Sequence, residues 1–351
     1  MPDSVQKLAI PPPEGHPRRT AVLALGLAAT LLGAVLAVNV AIDPRGDFGT
    51  GLYRPIVDDV PREKLTLYRA AAPVEGILLG SSRAMPLPPS ALAAQPSFNF
   101  GILGGSLLDD RLAYDTVVRT QGAPRLLVIA LDTFQLMDLP DGRPWSEVTS
   151  SRAAADYGAG SSASHLAGAA RDALSAGYLA DSLHVLDLTH RTGYPVAANT
   201  FTPDGQGLRP LVDPLVANGT YDLRAAFERN WERYLGTIYT TGSVSPHQAG
   251  LLQDLVRTAL SAGVEVQVVL PPFYHAALER LRPNPVFGSL LDAARDTLRG
   301  LCAPGLAVFD YTETEAFGGD AEGFYDGYHV TPANGAAMLV AMQQGRGDLC
   351  S

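Results

Sequence analysis

The stretch GILLGSSRAMP, residues 76–86, sets the pattern from which the fold can be predicted. An apolar run ends in a glycine that is followed by two serines and an arginine. Four more short apolar runs end in glycine, aspartate or proline: SFNFG (97–101), RLLVIALD (125–132), VEVQVVLPP (264–272) and LAVFD (306–310). Continuous apolar runs of this length are typical of strands that are buried on both faces.

Helical patterns lie between these strands. Amphipathic stretches occupy 107–122, 247–263 and 286–301, and the first two stop at a glycine, as a C-terminal cap would. Strands alternating with helices predict an α/β domain over 73–345, with a parallel sheet covered on both faces and active groups at the carboxyl ends of its strands. The span 134–245 breaks the alternation and is too long for a loop, so it predicts a helical insertion.

The N-terminal part has a different character. No charge occurs from Ala21 to Ile42, and a helix over 21–42 would be roughly 33 Å long, enough to span a bilayer core. Arg18 and Arg19 precede it, so the positive-inside rule predicts a cytoplasmic tail over 1–20 and an exported main domain. A cleaved signal peptide is the alternative, although its apolar region would be shorter. Residues 43–72 are expected to connect the helix to the domain.

The net charge excludes one class of partner, and the cysteines are consistent with an exported protein. The formal net charge of −10 argues against a broad nucleic-acid surface. The two cysteines, Cys302 and Cys350, both lie in the exported part. They form either one disulfide, which an oxidising compartment would favour, or two unpaired buried thiols.

The candidate chemistry combines the serine stretch with a late motif, FYDGYHVTPANG, in which Asp326 and His329 are three residues apart. At this spacing a carboxylate can accept a hydrogen bond from one imidazole nitrogen and leave the other free to take a proton. A serine hydroxyl needs such a base to become a nucleophile at neutral pH. Ser82, His329 and Asp326 are therefore a candidate triad.

With a serine after the first strand and D-x-x-H after the last, the sequence resembles the SGNH/GDSL hydrolase superfamily. Gly80-Ser81-Ser82 occupies the positions of the family's G-D-S, which makes Ser82 the nucleophile; Ser81 replaces the usual aspartate, which is not a triad member. The family's N-x-x-x-x-G block matches Asn99 to Gly104. The resemblance implies a flavodoxin-like three-layer fold and an oxyanion hole formed by the amides of Ser82 and Gly104. On spacing alone, a glycine-rich turn without a ligand fits this block equally well.

The family's third block departs from the pattern. Asp132 stands where an asparagine usually donates a hydrogen bond to the oxyanion, and an ionised carboxylate cannot donate. Either Asp132 is protonated, or it has another role, or Thr133 or Gln135 supplies the donor, or the site does not catalyse.

Further candidates for lining the site are Arg83, Asn99, Asp132 and His275. Arg83 either holds a substrate anion or, as is more common, pairs with a nearby acid. His275 lies on the rim where the fourth strand ends, where a surface histidine at a helix start is the commoner case. No cysteine–histidine cluster indicates zinc, and the acidic GGDAEGFYDG lacks EF-hand spacing, so we expect neither metal nor cofactor.

The motifs together resemble the membrane-anchored, cell-envelope branch of SGNH-like proteins, which includes proteins of polysaccharide O-acetylation and of D-alanyl transfer. The resemblance implies a serine esterase or O-acyltransferase at the periplasmic face of a bacterial inner membrane. It would act on acyl groups, acetyl above all, of an envelope polysaccharide, with a membrane acyl-donor protein as a possible partner. The alternative is a catalytically silent module that binds glycan or organises an assembly; Asp132 favours this alternative, and the intact triad set favours the enzyme.

Overall fold

The computed structural model describes residues 17–56, 59–138, 146–151, 153–159, 162–192 and 200–351. The helices are α1 (Pro17–Ile42), α2 (Val60–Ala70), α3 (Leu107–Gln121), α4 (Glu147–Ser150), α5 (Ser162–Asp172), α6 (Ala176–Thr192), α7 (Asp213–Ala217), α8 (Leu223–Asn230), α9 (Pro246–Ser261), α10 (His275–Leu281), α11 (Pro285–Arg299) and α12 (Pro332–Gln343). The strands are β1 (Gly76–Gly80), β2 (Ser97–Asn99), β3 (Leu126–Ala130), β4 (Thr200–Phe201), β5 (Gly207–Leu208), β6 (Glu265–Leu270) and β7 (Leu306–Asp310).

A five-stranded parallel sheet in the order β2-β1-β3-β6-β7 forms the centre of the α/β fold. Its strands are the five apolar runs of the sequence. β1 and β3 are buried along their whole length, as a strand covered on both faces must be. The strand order reverses between β1 and β3, and the crevice at the carboxyl ends of such strands is where open α/β sheets bind ligands.

The helices that the sequence predicts are present with small shifts at their ends. α3 begins with a capping box in which Ser106 and Asp109 satisfy each other's backbone amides. It ends before Gly122, whose φ of 91° suits a residue without a side chain. α9 likewise ends close to Gly263, at φ 77°. These local signals explain why the alternation could be read from the sequence.

The chain divides into two compact units, the first made of 1–57 and 166–194. α1 begins at Pro17, earlier than predicted, because proline is tolerated in the first turn of a helix, where its missing N–H is not needed. Residues 1–16 of the predicted tail lie outside the described residues. The segment Arg19–Ile42 is long and apolar enough to cross a membrane, with a mean hydropathy of 2.5 over its most apolar window.

Within the first unit, the end of α1 packs against α6. Asn39, fully buried, donates to the carbonyl of Ala173 at 2.7 Å and accepts from Ser182 at 2.8 Å. Arg45 pairs with Asp181 at 2.6 Å just beyond the helix. An asparagine buried near the end of an apolar helix therefore has its hydrogen-bonding capacity used by the chain itself.

The second unit, made of 58–165 and 195–351, contains the sheet. The predicted insertion over 134–245 thus does not stay together, because 166–194 belongs to the first unit. Nor is its remaining part only helical. The β4–β5 hairpin and the short helices α7 and α8 make up 200–230, followed by one π-helical turn at Trp231–Leu235.

The C-terminal tail is fastened to the sheet edge. Cys302 and Cys350 form a disulfide that closes a separation of 48 residues. Leu349 donates its amide to the carbonyl of Val308 at 2.7 Å, and Asp348 forms an antiparallel bridge with Phe309. The tail thereby covers backbone groups of β7, which is the edge strand of the sheet.

Candidate active site

Ser82 stands in a tight turn directly after β1. Gly80, at φ 139°, makes this turn possible, because a Cβ there would lie 2.4 Å from the carbonyl oxygen of Ala130 on β3. The turn is closed by the amide of Ala84, which donates to the carbonyl of Ser81 at 3.0 Å. Ser81 is buried and Ser82 is half-buried, so only the second serine is presented at the crevice.

Ser82, His329 and Asp326 form one hydrogen-bonded chain. The distance from Ser82 Oγ to His329 Nε2 is 2.9 Å, and His329 Nδ1 lies 2.9 Å from Asp326 Oδ2 and 3.1 Å from Oδ1. With the proton on Nδ1 donated to the carboxylate, Nε2 is left to accept from the serine hydroxyl. The structure therefore brings the three predicted residues together in the order that a Ser-His-Asp triad requires.

The carboxylate of Asp326 is held ionised. Burial opposes its charge, but the neighbouring His329, its hydrogen bonds and the charge of Arg209 outweigh burial and hold the pKa of Asp326 well below its usual range. Asp326 Oδ1 also accepts from the backbone amides of Tyr328 and His329, both at 2.8 Å. The two amides close a turn on the carboxylate and fix the acid relative to the imidazole.

The second motif block lies beside the serine. Phe100 and Ile102 donate their amides to the carbonyls of Leu78 and Gly80, which extends the pairing of β2 and β1 towards the crevice. Gly104 follows at φ 68°. Within the described parts of the chain, the backbone amides of Ser82 and Gly104 donate to no protein acceptor. Two amides free for a ligand are what an oxyanion hole requires.

Asn99 does not line the crevice, contrary to the expectation. It is fully buried. Its Nδ2 donates to the carbonyls of Ala84 and Leu87, both at 2.8 Å, and its Oδ1 accepts from the amide of Gly101 at 2.7 Å. The side-chain amide of Asn99 therefore fixes the backbone of the loop that follows the serine. Asn99 supports the site through that backbone and does not contact the crevice itself.

Arg83 and Asp132 also lie in the core and not on the crevice wall. Their side chains are 2% and 0% exposed, and Arg83 Nη1 lies 3.6 Å from Asp132 Oδ1. Arg83 donates further to the carbonyls of Tyr328 at 3.1 Å and Pro272 at 2.5 Å, and it stacks on the ring of Phe273. The sequence left the acidic partner of Arg83 open, and the structure identifies this partner as Asp132.

Side chains of the protein core donate hydrogen bonds to Asp132. Its Oδ2 accepts from the hydroxyls of Ser81 and Tyr328. Burial, and then the negative charge of Asp132, raises the pKa of Tyr328 well above its usual value, so that its hydroxyl stays protonated and donates. Gln135 does not face the serine either, because its Nε2 donates to Gly105 and Asp110 at 3.1 Å. Thr133 Oγ1 lies 3.4 Å from the hydroxyl of Tyr239.

The crevice opens into a pocket of about 300 Å³. Its wall is largely apolar and includes one cationic side chain, that of Arg209. The lining residues are Ser82, Met85, Pro86, Leu103, Gly207, Arg209, Val212 and His329. His275 is not part of this wall; it begins α10 and is exposed, with its ring against Tyr274. Among the described residues, no group of three or more His, Cys, Asp or Glu side chains could hold a metal ion.

Arg209 is the site residue that the sequence analysis missed. Its Nη1 lies 3.8 Å from Asp326 Oδ2, and its guanidinium lies over the ring of Tyr325 at 4.3 Å. It comes from the stretch TFTPDGQGLRP in the predicted insertion, where no motif marks it. The only signal was an arginine two residues after Gly207 of a glycine-rich stretch, which by itself indicates no function.

Comparison of the chain with models of protein families, with curated proteins and with solved structures gives no match.

Proposed function

We propose that the chain is a serine esterase or O-acyltransferase of the SGNH hydrolase type, with a flavodoxin-like domain. The observation that carries the proposal is the continuous chain from Ser82 Oγ through His329 to Asp326, with both links at 2.9 Å. Nothing in a structural turn needs an imidazole placed between a half-buried serine and an ionised carboxylate. The sheet's order, 2-1-3-4-5 if only its own five strands are counted, is that of the flavodoxin-like class.

In the proposed reaction, Ser82 Oγ attacks the carbonyl carbon of an ester, and its proton passes to His329 Nε2. The carbonyl oxygen becomes an oxyanion, which the amides of Ser82 and Gly104 would stabilise. The tetrahedral intermediate collapses, and the leaving alcohol takes the proton from His329. Asp326 stays ionised throughout and stabilises the imidazolium. No cofactor is needed for these steps.

The acyl-enzyme is then released by the reverse sequence. His329 takes a proton from an incoming hydroxyl, which attacks the acyl carbon, and returns it to Ser82 Oγ as the ester bond to the serine breaks. Water as the acceptor makes the protein an esterase, and a sugar hydroxyl makes it a transferase. The resemblance to envelope proteins favours acetyl groups on a polysaccharide, with a membrane acyl-donor protein as a partner in the transferase case.

The alternative of a silent binding module rested on Asp132 at the oxyanion position. The Asp132 carboxylate accepts from the hydroxyls of Ser81 and Tyr328 and forms an ion pair with Arg83 at 3.6 Å, so its charge is compensated within the core. This supports the enzyme over the silent module. We further propose that α1 anchors the chain in a bacterial inner membrane with the catalytic domain in the periplasm, an oxidising space that suits the Cys302–Cys350 disulfide.

The test is a reaction of the purified full-length chain with a fluorophosphonate probe, followed by intact mass and peptide mapping. One adduct on Ser82, absent from Ser82→Ala and strongly reduced in His329→Ala, is the expected result. Ser81→Ala is the matched control, because this serine is buried and should not be the site of attack. No adduct on the folded wild-type chain, even with a probe as small as a sulfonyl fluoride, would refute the proposed nucleophile.

A further inference from the structure

The wall of the catalytic pocket contains one arginine, Arg209, which the proposed mechanism does not use. Its side chain is 25% exposed, and within the described residues its guanidinium makes only a 3.8 Å ion contact with Asp326 and a stack on Tyr325. Asp326 already has one Oδ2 partner in His329. A cation near the same carboxylate oxygen is therefore an additional feature of this chain.

Several contacts fix the β4–β5 hairpin, and with it Arg209, to the loop that bears the serine. The amide of Gly207 donates to the carbonyl of Met85 at 2.7 Å, and Gln206 Nε2 donates to the carbonyl of Pro86 at 3.0 Å. Gly205 lies so close to β2 that a Cβ would be 2.4 Å from the carbonyl oxygen of Asn99. The hairpin is packed as part of the site.

Lys64 of α2 strengthens this attachment. Its amino group is fully buried and donates to the carbonyls of Asn99, at 2.9 Å, and of Gly205. It also lies 4.5 Å from the centre of the Phe201 ring. One side chain thereby joins the end of β2 to the tip of the hairpin, two residues before the pocket wall begins at Gly207.

A second set of contacts ties the segment after the hairpin to the catalytic loop. Asp213 accepts from the amide of Arg209 at 2.7 Å and from the hydroxyl of Tyr325. Tyr221 donates its hydroxyl to the carbonyl of Tyr325. Tyr325, which directly precedes Asp326, is thus bonded through both its hydroxyl and its carbonyl to residues of the segment 209–221. Arg209 contacts the Asp326 carboxylate from the same segment.

We propose that Arg209 is a positioning residue for the triad, whose positive charge keeps the Asp326 carboxylate oriented towards His329. The proposal rests on the serine-enzyme function proposed above. The neighbours Asp213 and Tyr221 can fix the backbone of the loop, but only Arg209 brings a positive charge to the acid. The charge acts at 3.8 Å in a largely desolvated site, where an ion contact is stronger than at the surface.

The test compares Arg209→Lys, Arg209→Met and Arg209→Ala in the full-length chain. The quantity measured is the second-order rate constant of Ser82 labelling by the fluorophosphonate. Arg209→Met should lower it roughly 10–100-fold, the cost of a misplaced catalytic group, whereas Arg209→Lys should keep most of it. Guanidinium chloride at a non-denaturing concentration should restore part of the rate of Arg209→Ala, and sodium chloride at the same ionic strength should not.

Arg257→Met is the matched control, since Arg257 forms a surface pair with Asp254 on α9, with both side chains more than half exposed. It should label at the wild-type rate. A wild-type rate in Arg209→Met would overturn the proposal. So would equal losses in the Lys and Met variants without guanidinium rescue, because that result assigns Arg209 a purely structural role. If the wild-type chain itself does not label, the proposed serine-enzyme function fails, and the role of Arg209 falls with it.

Discussion

The buried pair of Arg83 and Asp132 gives the sharpest prediction of stability. Arg83→Met should lower the free energy of unfolding by about 3–5 kcal/mol, the cost of leaving one member of a buried ion pair without its partner. Two structural effects contribute to this loss. Asp132 would keep a charge in a core where its side chain is 0% exposed, and the carbonyls of Tyr328 and Pro272 would lose a donor.

The assay is urea denaturation followed by circular dichroism, carried out as a double-mutant cycle with Asp132→Asn. Because asparagine removes the uncompensated charge, the double variant should be more stable than the sum of the two single losses by about 1–3 kcal/mol. Arg257→Met serves as the reference for an exposed pair and should cost less than about 1 kcal/mol. An Arg83→Met chain within about 1 kcal/mol of the wild type, or strictly additive losses, would refute the assignment of Asp132 as the buried partner of Arg83.

Three further changes can be tested. Asp326→Asn should reduce the labelling rate by roughly 10³–10⁴-fold while thermal melting shows a folded chain, because the imidazole tautomer is no longer enforced; an unchanged rate would contradict the triad. Burial lowers the pKa of Lys64 to about 7, so the folded chain binds fewer protons than the unfolded one between about pH 7 and 10, and its free energy of unfolding should rise with pH over that window. Lys64→Met should flatten this rise in urea melts at about pH 7.5 and about pH 9.5, and an equal slope in both chains would argue against a buried, largely neutral lysine. Reduction of the Cys302–Cys350 disulfide, or replacement of both cysteines by serine, should cost up to about 4 kcal/mol from the loop of 48 residues that it closes, measured by the same melts, and no change would show that the tail contributes nothing.

The sheet was predictable because each of its strands carries its own local signal. GILLG carries no polar side chain and LAVFD is apolar up to its final aspartate, and they occupy β1 and β7 without a shift. Helix ends were marked in the same way, by a glycine in the left-handed region after α3. Periodicity and caps act over a few residues, so the sequence states them directly.

The role of Asp132 could not be read from motif position, because a motif match aligns positions and not side-chain directions. The register of the sheet contained the missing information. Gly80 pairs with Ala130, so Arg83 and Asp132 come two or three residues beyond paired positions on neighbouring strands. Two opposite charges next to buried strand ends at the same edge predict a buried pair more directly than they predict an oxyanion group.

Arg209 shows a harder limit. Arg209 contacts Asp326 although more than a hundred residues separate them in the chain, and no local sequence pattern links the two residues. Tertiary contacts place it there: the amide of Gly207 donates to the carbonyl of Met85, and the amino group of Lys64 donates to the carbonyl of Gly205 at the hairpin tip. The triad residues lie on loops next to sheet strands and helices, whereas their fourth neighbour comes from a two-stranded hairpin that the sheet does not need. The hairpin is fastened by several contacts to the serine loop and places a cation next to the proposed catalytic acid. The chemistry of the site explains this arrangement better than the stability of the sheet does. The Arg209 variants separate these two explanations, because only the first depends on charge.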